Sequence, residues 1–232
     1  DLFNKKRFMK EYKISVNQLA DFTRGSEAKK RSIIRQQKNP AKIIVARYGL
    51  AKARFRKFIA LRGDIAPVIA GIEQLKAKKP ETDWQANDKK VSLEAMERFI
   101  KLQLPTLLQD LDSYEVLPKF PFIFSGVDII VSPDVIVKGQ IGGKTYIGAA
   151  KIHVSKSAPF TTNESKYVAT CIYNYLNSFV KDKDEDMIVL PDLCLCIDVF
   201  ADSIISAPKN IEYVNSKLAE YCLEIIKIWD AA

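Results

Sequence analysis

Residues 127–154 read VDIIVSPDVIVKGQIGGKTYIGAAKIHV, and their pattern is the clearest indication of the fold class. It is rich in β-branched residues, which pack well on the pleated surface of a strand. We predict two strands, residues 127–137 and 144–154. The glycines between them, Gly139, Gly142 and Gly143, favour the tight turn of a β-hairpin.

The flanking sequence extends this hairpin into a mixed sheet. Upstream, Ser92 is placed to cap a helix, and one further strand is predicted within residues 114–124. Downstream, a helix over 163–180 precedes the apolar run LCLCIDVF at 193–200, which is typical of a central strand covered on both faces. A last helix is predicted over 210–229. The fold class is therefore α/β (an α+β mixed sheet), with the order αβββαβα over residues 91–232.

The first part of the chain is predicted to be helical. Ser15 and Ser26 are candidate N-caps for a short helix that ends at Gly25 and for a basic helix over 27–38. A third amphipathic helix is predicted over 41–61. Residues 76–90 (KAKKPETDWQANDKK) are polar and are interpreted as a linker or loop. We thus expect a helical basic region at 1–75 and an α/β core at 91–232.

Charge is distributed unevenly along the chain. Residues 1–63 contain 18 Lys and Arg against 4 Asp and Glu, whereas the rest of the chain has a net charge of −6. This asymmetry favours a polyanion-binding surface on the helical region, with nucleic acid as the ligand and DNA favoured over RNA. A solvated lysine-rich helix surface or attraction to an anionic membrane would give the same pattern. The candidate contacts are Lys29, Lys30, Arg31, Arg35, Arg47 and Arg54.

The amino-acid composition limits which membrane, disulfide and metal-binding classes of protein this chain could belong to. No run of eighteen apolar residues is present, so we predict no membrane-spanning helix and no membrane partner. The four cysteines lack the spacing of a disulfide framework, which favours reduced, structural thiols and a cytoplasmic protein. His153 is the single histidine, so a metal site with two imidazoles is excluded. A homo-oligomer or a larger complex is left open.

Pro133-Asp134 and the run Gly148-Ala149-Ala150-Lys151 carry a family resemblance. With the element order of residues 91–232, they resemble the PD-(D/E)xK nuclease superfamily, which has an Asp on its second strand and a Lys on its third. The resemblance implies a metal-dependent nuclease that hydrolyses DNA or RNA phosphodiester bonds, with Asp134, Lys151 and Asp128 as catalytic residues. It also implies a Mg²⁺ (or Mn²⁺) cofactor held by Asp134, Asp128 and Glu94.

One position departs from that pattern, because Ala149 stands where the superfamily has its second acidic residue. Asp128, a glutamate of the preceding helix (Glu94 or Glu97) or Glu164 could replace it. Otherwise the chain is a non-catalytic nucleic-acid-binding module on a degenerate nuclease fold. Asp128 and Asp134 could also simply protect a strand edge from aggregation. A third hypothesis is an adaptor that docks an acidic protein partner, with Tyr48, Phe55 and Phe58 exposed on the basic helices.

Overall fold

The computed structural model describes residues 12–40, 47–110, 113–115, 120–183 and 186–231, and the fold is mixed α/β. The described residues contain seven α-helices, one short 3-10 helix and two β-sheets. Within these residues, no helix is both long and apolar enough to cross a bilayer.

Capping residues begin the first two helices where the sequence predicts. The Oγ atom of Ser15 accepts a hydrogen bond from the backbone N–H of Gln18, and Ser26 does the same for Lys29. These bonds satisfy amides that the first turn of a helix leaves unpaired. The helices before the sheet are α1 (Val16–Arg24), α2 (Glu27–Lys38), α3 (Gly49–Ala60), α4 (Ala66–Ala77) and α5 (Asp83–Phe99).

The larger sheet is built on the hairpin of β5 (Val135–Ile141) and β6 (Lys144–His153). Gly142 and Gly143 form its turn with positive φ angles, which glycine adopts without strain. α6 (Thr162–Lys183) crosses over to β7 (Ile188–Asp198), which runs parallel to β6. The short strands β2 (Ser113–Glu115) and β8 (Ser203–Ser206) complete the order β2-β5-β6-β7-β8, and α7 (Ile211–Ala231) follows. The internal position predicted for residues 193–200 is confirmed, since β7 has a strand on each side.

A second, three-stranded sheet was not predicted. β4 (Val127–Ile130) lies between β3 (Ile123–Phe124) and β1 (Lys13–Ser15), and it runs parallel to β1. The single strand predicted over 127–137 is therefore wrong. The chain leaves one sheet and enters the other at Ser132, which has a positive φ, and at Pro133, which has no N–H to donate to a ladder. The strand predicted within 114–124 is likewise divided between the two sheets, and residues 116–119 lie outside the described residues.

The helices cover both faces of the larger sheet. α1, α2, α6 and α7 form one apolar core with the three-stranded sheet, and α3, α4 and α5 form another on the opposite face. Their largest buried side chains include Phe22 in the first core and Phe55 and Phe99 in the second. Each such residue contributes roughly 1.5–3 kcal/mol by leaving water. The N-terminal helices are therefore integral to both cores and do not form a separate region.

The segment predicted as a linker is mostly helical. α4 ends at Ala77 and α5 begins at Asp83, so only residues 78–82 connect them. Thr82 caps α5, and the Lys89 ammonium donates to the backbone carbonyls of Lys76 and Lys78 at the end of α4. Ser92, predicted as an N-cap, is instead buried within α5. Of the segment predicted as a linker, only residues 78–82 lie between the two helices.

Candidate functional site

Asp134 and Lys151 lie together where β5 begins and β6 approaches its end. The antiparallel register pairs Val135 with Ala150, which places the preceding Asp134 beside Lys151. The backbone N–H of Asp134 donates to the carbonyl of Ala150, and its Oδ2 accepts from the N–H of Ile152 at 2.9 Å. The Lys151 Nζ lies 3.9 Å from the same Oδ2. The hairpin thus fixes both side chains through backbone hydrogen bonds.

The Lys151 ammonium is held in a partly buried position. Its Nζ donates to the carbonyl of Ser132 at 2.6 Å, and only 15% of its side chain is exposed. Burial lowers the pKa of Lys151 because it disfavours the charged form; Asp134 opposes this effect, while Lys52 and Arg56 add to it. Two other cations therefore act on the same site.

These two cations come from α3. The Arg56 guanidinium donates to Asp134 Oδ1 from Nε at 3.3 Å and from Nη2 at 3.2 Å. Half of the Arg56 side chain is exposed, against 8% for Asp134. Lys52 lies one turn earlier on α3 and is half-buried. We call Lys52, Arg56, Asp134 and Lys151 the strand-end cluster; it contains three cations and one carboxylate.

His153 and Asp198 lie at the adjoining carboxyl ends of β6 and β7. The His153 ring stacks on Phe160 at 3.7 Å, and its Nε2 donates to the carbonyl of Ala158 at 3.0 Å. Asp198 is fully buried and accepts backbone N–H bonds from Phe160, Phe200 and Ala201. Burial lowers the pKa of His153, although Asp198 and Asp21 favour its protonated form. Both residues organise the loops that leave the strand ends.

Arg24, at the end of α1, also reaches this edge of the sheet. Its Nη1 donates to the carbonyl of Pro159, and its Nε lies 2.7 Å from Oε1 of the buried Glu164, without the alignment of a hydrogen bond. Glu164 Oε2 accepts from the N–H of Thr161, whose Oγ1 accepts from the N–H of Glu164. This reciprocal capping box is visible in the sequence as Thr-x-x-Glu, whereas the pairing with Arg24 is not.

The structure does not bring the other predicted metal ligands to Asp134. Asp128 lies on β4 of the smaller sheet, paired with Lys13 and Ile123. Glu94 is bound by Lys156 at 2.6 Å and by Arg98 at 3.4 Å, and the hydrogen bond from Lys156 is the main cause of its lowered pKa. Ala149 is buried in the core that contains α6. Asp128 and Glu94 therefore have partners other than Asp134 in the structure.

The donor set at the strand ends does not suit a divalent cation. Mg²⁺ and Mn²⁺ favour several oxygen ligands, usually carboxylates with waters or phosphates. Asp134 is the single carboxylate of the strand-end cluster, and both its oxygens already accept hydrogen bonds from Arg56 and Ile152. Among the described residues, no three His, Cys, Asp or Glu side chains are grouped as metal ligands. The cluster has the charge balance of an anion site.

The six predicted nucleic-acid contacts fall into two groups. Lys29, Arg35 and Arg47 are exposed. The other three have partners within the chain: Lys30 pairs with Glu224 at 2.7 Å, Arg31 with Glu27, and Arg54 donates to Gln74. Arg54 also lies so close to Gly71 that a side chain at position 71 would clash with it. Lys29, Arg35 and Arg47 could therefore bind a ligand without first breaking a side-chain contact of this kind.

The aromatic residues that the adaptor hypothesis needs on the surface are buried. Tyr48, Phe55 and Phe58 belong to the core formed with α4 and α5, and Phe55 stacks on Phe99 at 3.9 Å.

All four cysteines are buried free thiols, and burial raises the pKa of each, which suits structural residues.

Comparison with known proteins returned no match to a family model, to a curated protein or to a solved structure.

Proposed function

We propose that this protein binds nucleic acid through its phosphate backbone, without cutting it, at the strand-end cluster and the basic helices around it. The observation that carries the proposal is the excess of positive charge at this point, where Arg56 and Lys151 contact the single carboxylate of Asp134 and Lys52 lies near enough to lower the pKa of Lys151. A phosphate group would supply the negative charge that one carboxylate leaves uncompensated.

The chemistry of the three cations suits phosphate. Arg56 is half exposed, so its guanidinium can turn from Asp134 and donate two parallel hydrogen bonds to phosphate oxygens. Lys151 is held in place by the carbonyl of Ser132 and provides a fixed charge in surroundings that screen it poorly. Exposed Lys29, beside Gly25 of the α1–α2 turn, and exposed Lys57 on α3 add positive charge to the basic helices.

The arrangement of strands supports the same class of ligand. Helix α5 is followed by β2, β5 and β6 as neighbouring antiparallel strands, then by α6 and the parallel strand β7. This order resembles the αβββαβ core of the PD-(D/E)xK superfamily, whose members act on nucleic acid. Asp134, just before β5, and Lys151, on β6, are the two residues on which that resemblance rests.

Fluorescence anisotropy with labelled single-stranded and duplex DNA and RNA tests the proposal. We expect the logarithm of affinity to fall linearly with the logarithm of salt concentration, because bound cations release counterions from the phosphates. Arg56→Gln with Lys151→Met should reduce both the affinity and that slope for all sequences alike. Lys217→Ala, on the exposed face of α7, is the matched control. Binding that is insensitive to salt, or unchanged in the double variant despite a native thermal melt, would refute the proposal.

A metal-dependent nuclease is the second candidate, and the contact between Asp134 and Lys151 favours it. Cleavage of DNA and RNA in the presence of Mg²⁺ or Mn²⁺, abolished by Asp134→Asn with binding retained, would establish it. Absence of cleavage by the wild type on all these substrates would leave the binding function alone. Restoring the acidic residue by Ala149→Glu is not a clean test, since position 149 is buried and an unpaired charge there costs about 3–5 kcal/mol.

A further inference from the structure

The cations of the strand-end cluster lie at different depths. Half of the Arg56 side chain is exposed and Lys52 is half-buried, whereas only 15% of the Lys151 side chain is exposed. Lys151 lies on β6, between Asp134 at the start of β5 and the fully buried Cys196 of β7, with which it is in register. A ligand that contacts Arg56 alone can stay on the surface. A ligand that also contacts Lys151 has to insert a group between the neighbouring side chains.

The Lys151 ammonium retains hydrogen-bond donors for such a group. A lysine ammonium has three N–H donors. In the part of the chain that the structure describes, the Lys151 Nζ makes one hydrogen bond, to the carbonyl of Ser132 at 2.6 Å. The Asp134 Oδ2 atom is 3.9 Å away, which is too far for a hydrogen bond, and accepts from the N–H of Ile152 instead. Because a donor that leaves water without a partner costs free energy, the remaining donors favour a ligand group rich in oxygen.

The charge of the cluster limits which phosphate suits it. Three cations and one carboxylate give a net charge of +2. A phosphodiester within a strand carries one negative charge, whereas a terminal phosphomonoester carries about −1.5 to −2 at pH 7 and has three free oxygens. We infer that the strand-end cluster binds the terminal phosphomonoester of a nucleic-acid strand. This assignment depends on the function proposed above and specifies the group that is bound.

The two depths assign different roles to the cations. Arg56, at the surface, can donate two parallel hydrogen bonds to any phosphate of the strand. A phosphate within a strand has a sugar on each side, which keeps it at the surface. A terminal phosphate has a sugar on one side only, so it can insert past Arg56 and accept from the Lys151 ammonium. Arg56 therefore contributes to binding at every phosphate, and Lys151 contributes to the preference for a strand end.

Fluorescence anisotropy with four forms of one internally labelled DNA strand tests this assignment. The forms carry a 5′-phosphate, a 3′-phosphate, hydroxyls at both ends, or no ends in a closed circle. We expect a phosphorylated form to bind at least about tenfold more tightly than the hydroxyl form and the circle, and the two phosphorylated forms identify the end. Lys151→Met should abolish this preference. Lys57→Ala, at an exposed cation of α3, should lower all four affinities by the same factor and leave their ratios unchanged.

A methyl ester of the terminal phosphate tests the second charge, because it keeps the phosphate at the end but leaves it one negative charge. This form should bind within about twofold of the hydroxyl form. Equal affinities for all forms, with the salt dependence retained, would overturn the assignment and leave the backbone-binding function standing. Absence of salt-dependent binding to any form would remove both. A preference that survives in a natively folded Lys151→Met, or a methyl ester bound as tightly as the free monoester, would also overturn the assignment.

Discussion

Helices α2 and α3 have the same length and a similar density of basic residues, but their charges are used differently. α2 carries five basic residues, of which Lys30 and Arg31 pair with Glu224 and Glu27. α3 carries four basic residues and no acidic ones, and its Arg56 reaches across to Asp134 at the strand ends. Two helices with a similar charge density therefore differ in where their charges lie relative to the sheet.

The largest expected difference between the two helices is in affinity for nucleic acid. Lys52→Ala with Arg56→Ala on α3 should lower the affinity by more than about tenfold, since both cations lie at the strand-end cluster and each charge-assisted contact is worth roughly 1.5–3 kcal/mol. Lys29→Ala with Arg35→Ala on α2 should lower it only a few-fold. Anisotropy titrations at two salt concentrations measure both effects. A larger loss in the α2 pair would reverse the comparison.

Each helix has one basic residue that pairs with a carboxylate of another element. Replacing that carboxylate by its amide should change the affinity for DNA by less than the alanine substitutions do, and in the opposite direction. Asp134→Asn should raise the affinity for DNA several-fold, because it removes the one negative charge from the strand-end cluster. Glu224→Gln, which releases Lys30 of α2, should change the affinity by less than about twofold. The same titrations measure both variants. Unchanged affinity in Asp134→Asn together with lost cleavage would favour the nuclease instead.

For the free energy of unfolding, we expect a substitution in α2 to have a larger effect than a substitution in α3. Lys30 of α2 is largely buried, pairs with Glu224 and lies 5.1 Å above the Phe22 ring. We expect Lys30→Ala to lower the free energy of unfolding by about 1 kcal/mol, through the lost cation–π and ionic contacts. Lys57→Ala on α3 should change it by less than about 0.5 kcal/mol, since Lys57 is exposed. Urea denaturation measures both, and equal losses would contradict this assignment.

The smallest effect is on the titration of His153, which as the single histidine gives one NMR signal to follow. Burial lowers its pKa, so the folded protein loses stability as the pH falls below 6.5, where the unfolded chain binds the proton first. Lys52 of α3 lowers this pKa further, against Asp198 and Asp21, which raise it. Lys52→Ala should move the pKa upward, and Lys29→Ala on α2 should not. An unchanged pKa of His153 in Lys52→Ala would show that the Lys52 charge on α3 does not influence the groups at the strand ends.

Features that depend on neighbouring residues were predictable from the sequence. The caps at Ser15 and Ser26 fixed the starts of α1 and α2, and the glycine turn fixed the hairpin. The register of that hairpin then brings Asp134 to Lys151 within twenty residues of chain. These are also the two residues on which the resemblance to a nuclease family rests.

Features that depend on distant contacts were not predictable. Pro133 interrupts the strand pattern of the sequence but does not reveal a change of sheet, because the partner that defines β4 is β1, more than a hundred residues earlier in the chain. Arg56 was one of several basic residues on its helix, and only tertiary packing selects it as the partner of Asp134. The same packing pairs Asp128 with Lys13 and Ile123 and Glu94 with Lys156 and Arg98, which spacing along the chain does not reveal.

The pairing of β1 with β4 also has a consequence for synthesis. Lys13 pairs with Asp128, 115 residues further along the chain. At about 5–20 residues per second, the ribosome needs roughly 6–23 s to supply that partner after the first strand has been made. During this interval the apolar faces of α1 and α2 have neither the strand nor α6 and α7 to cover them. The emerging chain therefore exposes an aggregation-prone surface, and its yield should depend on chaperones that shield the N-terminal helices until β4 is complete.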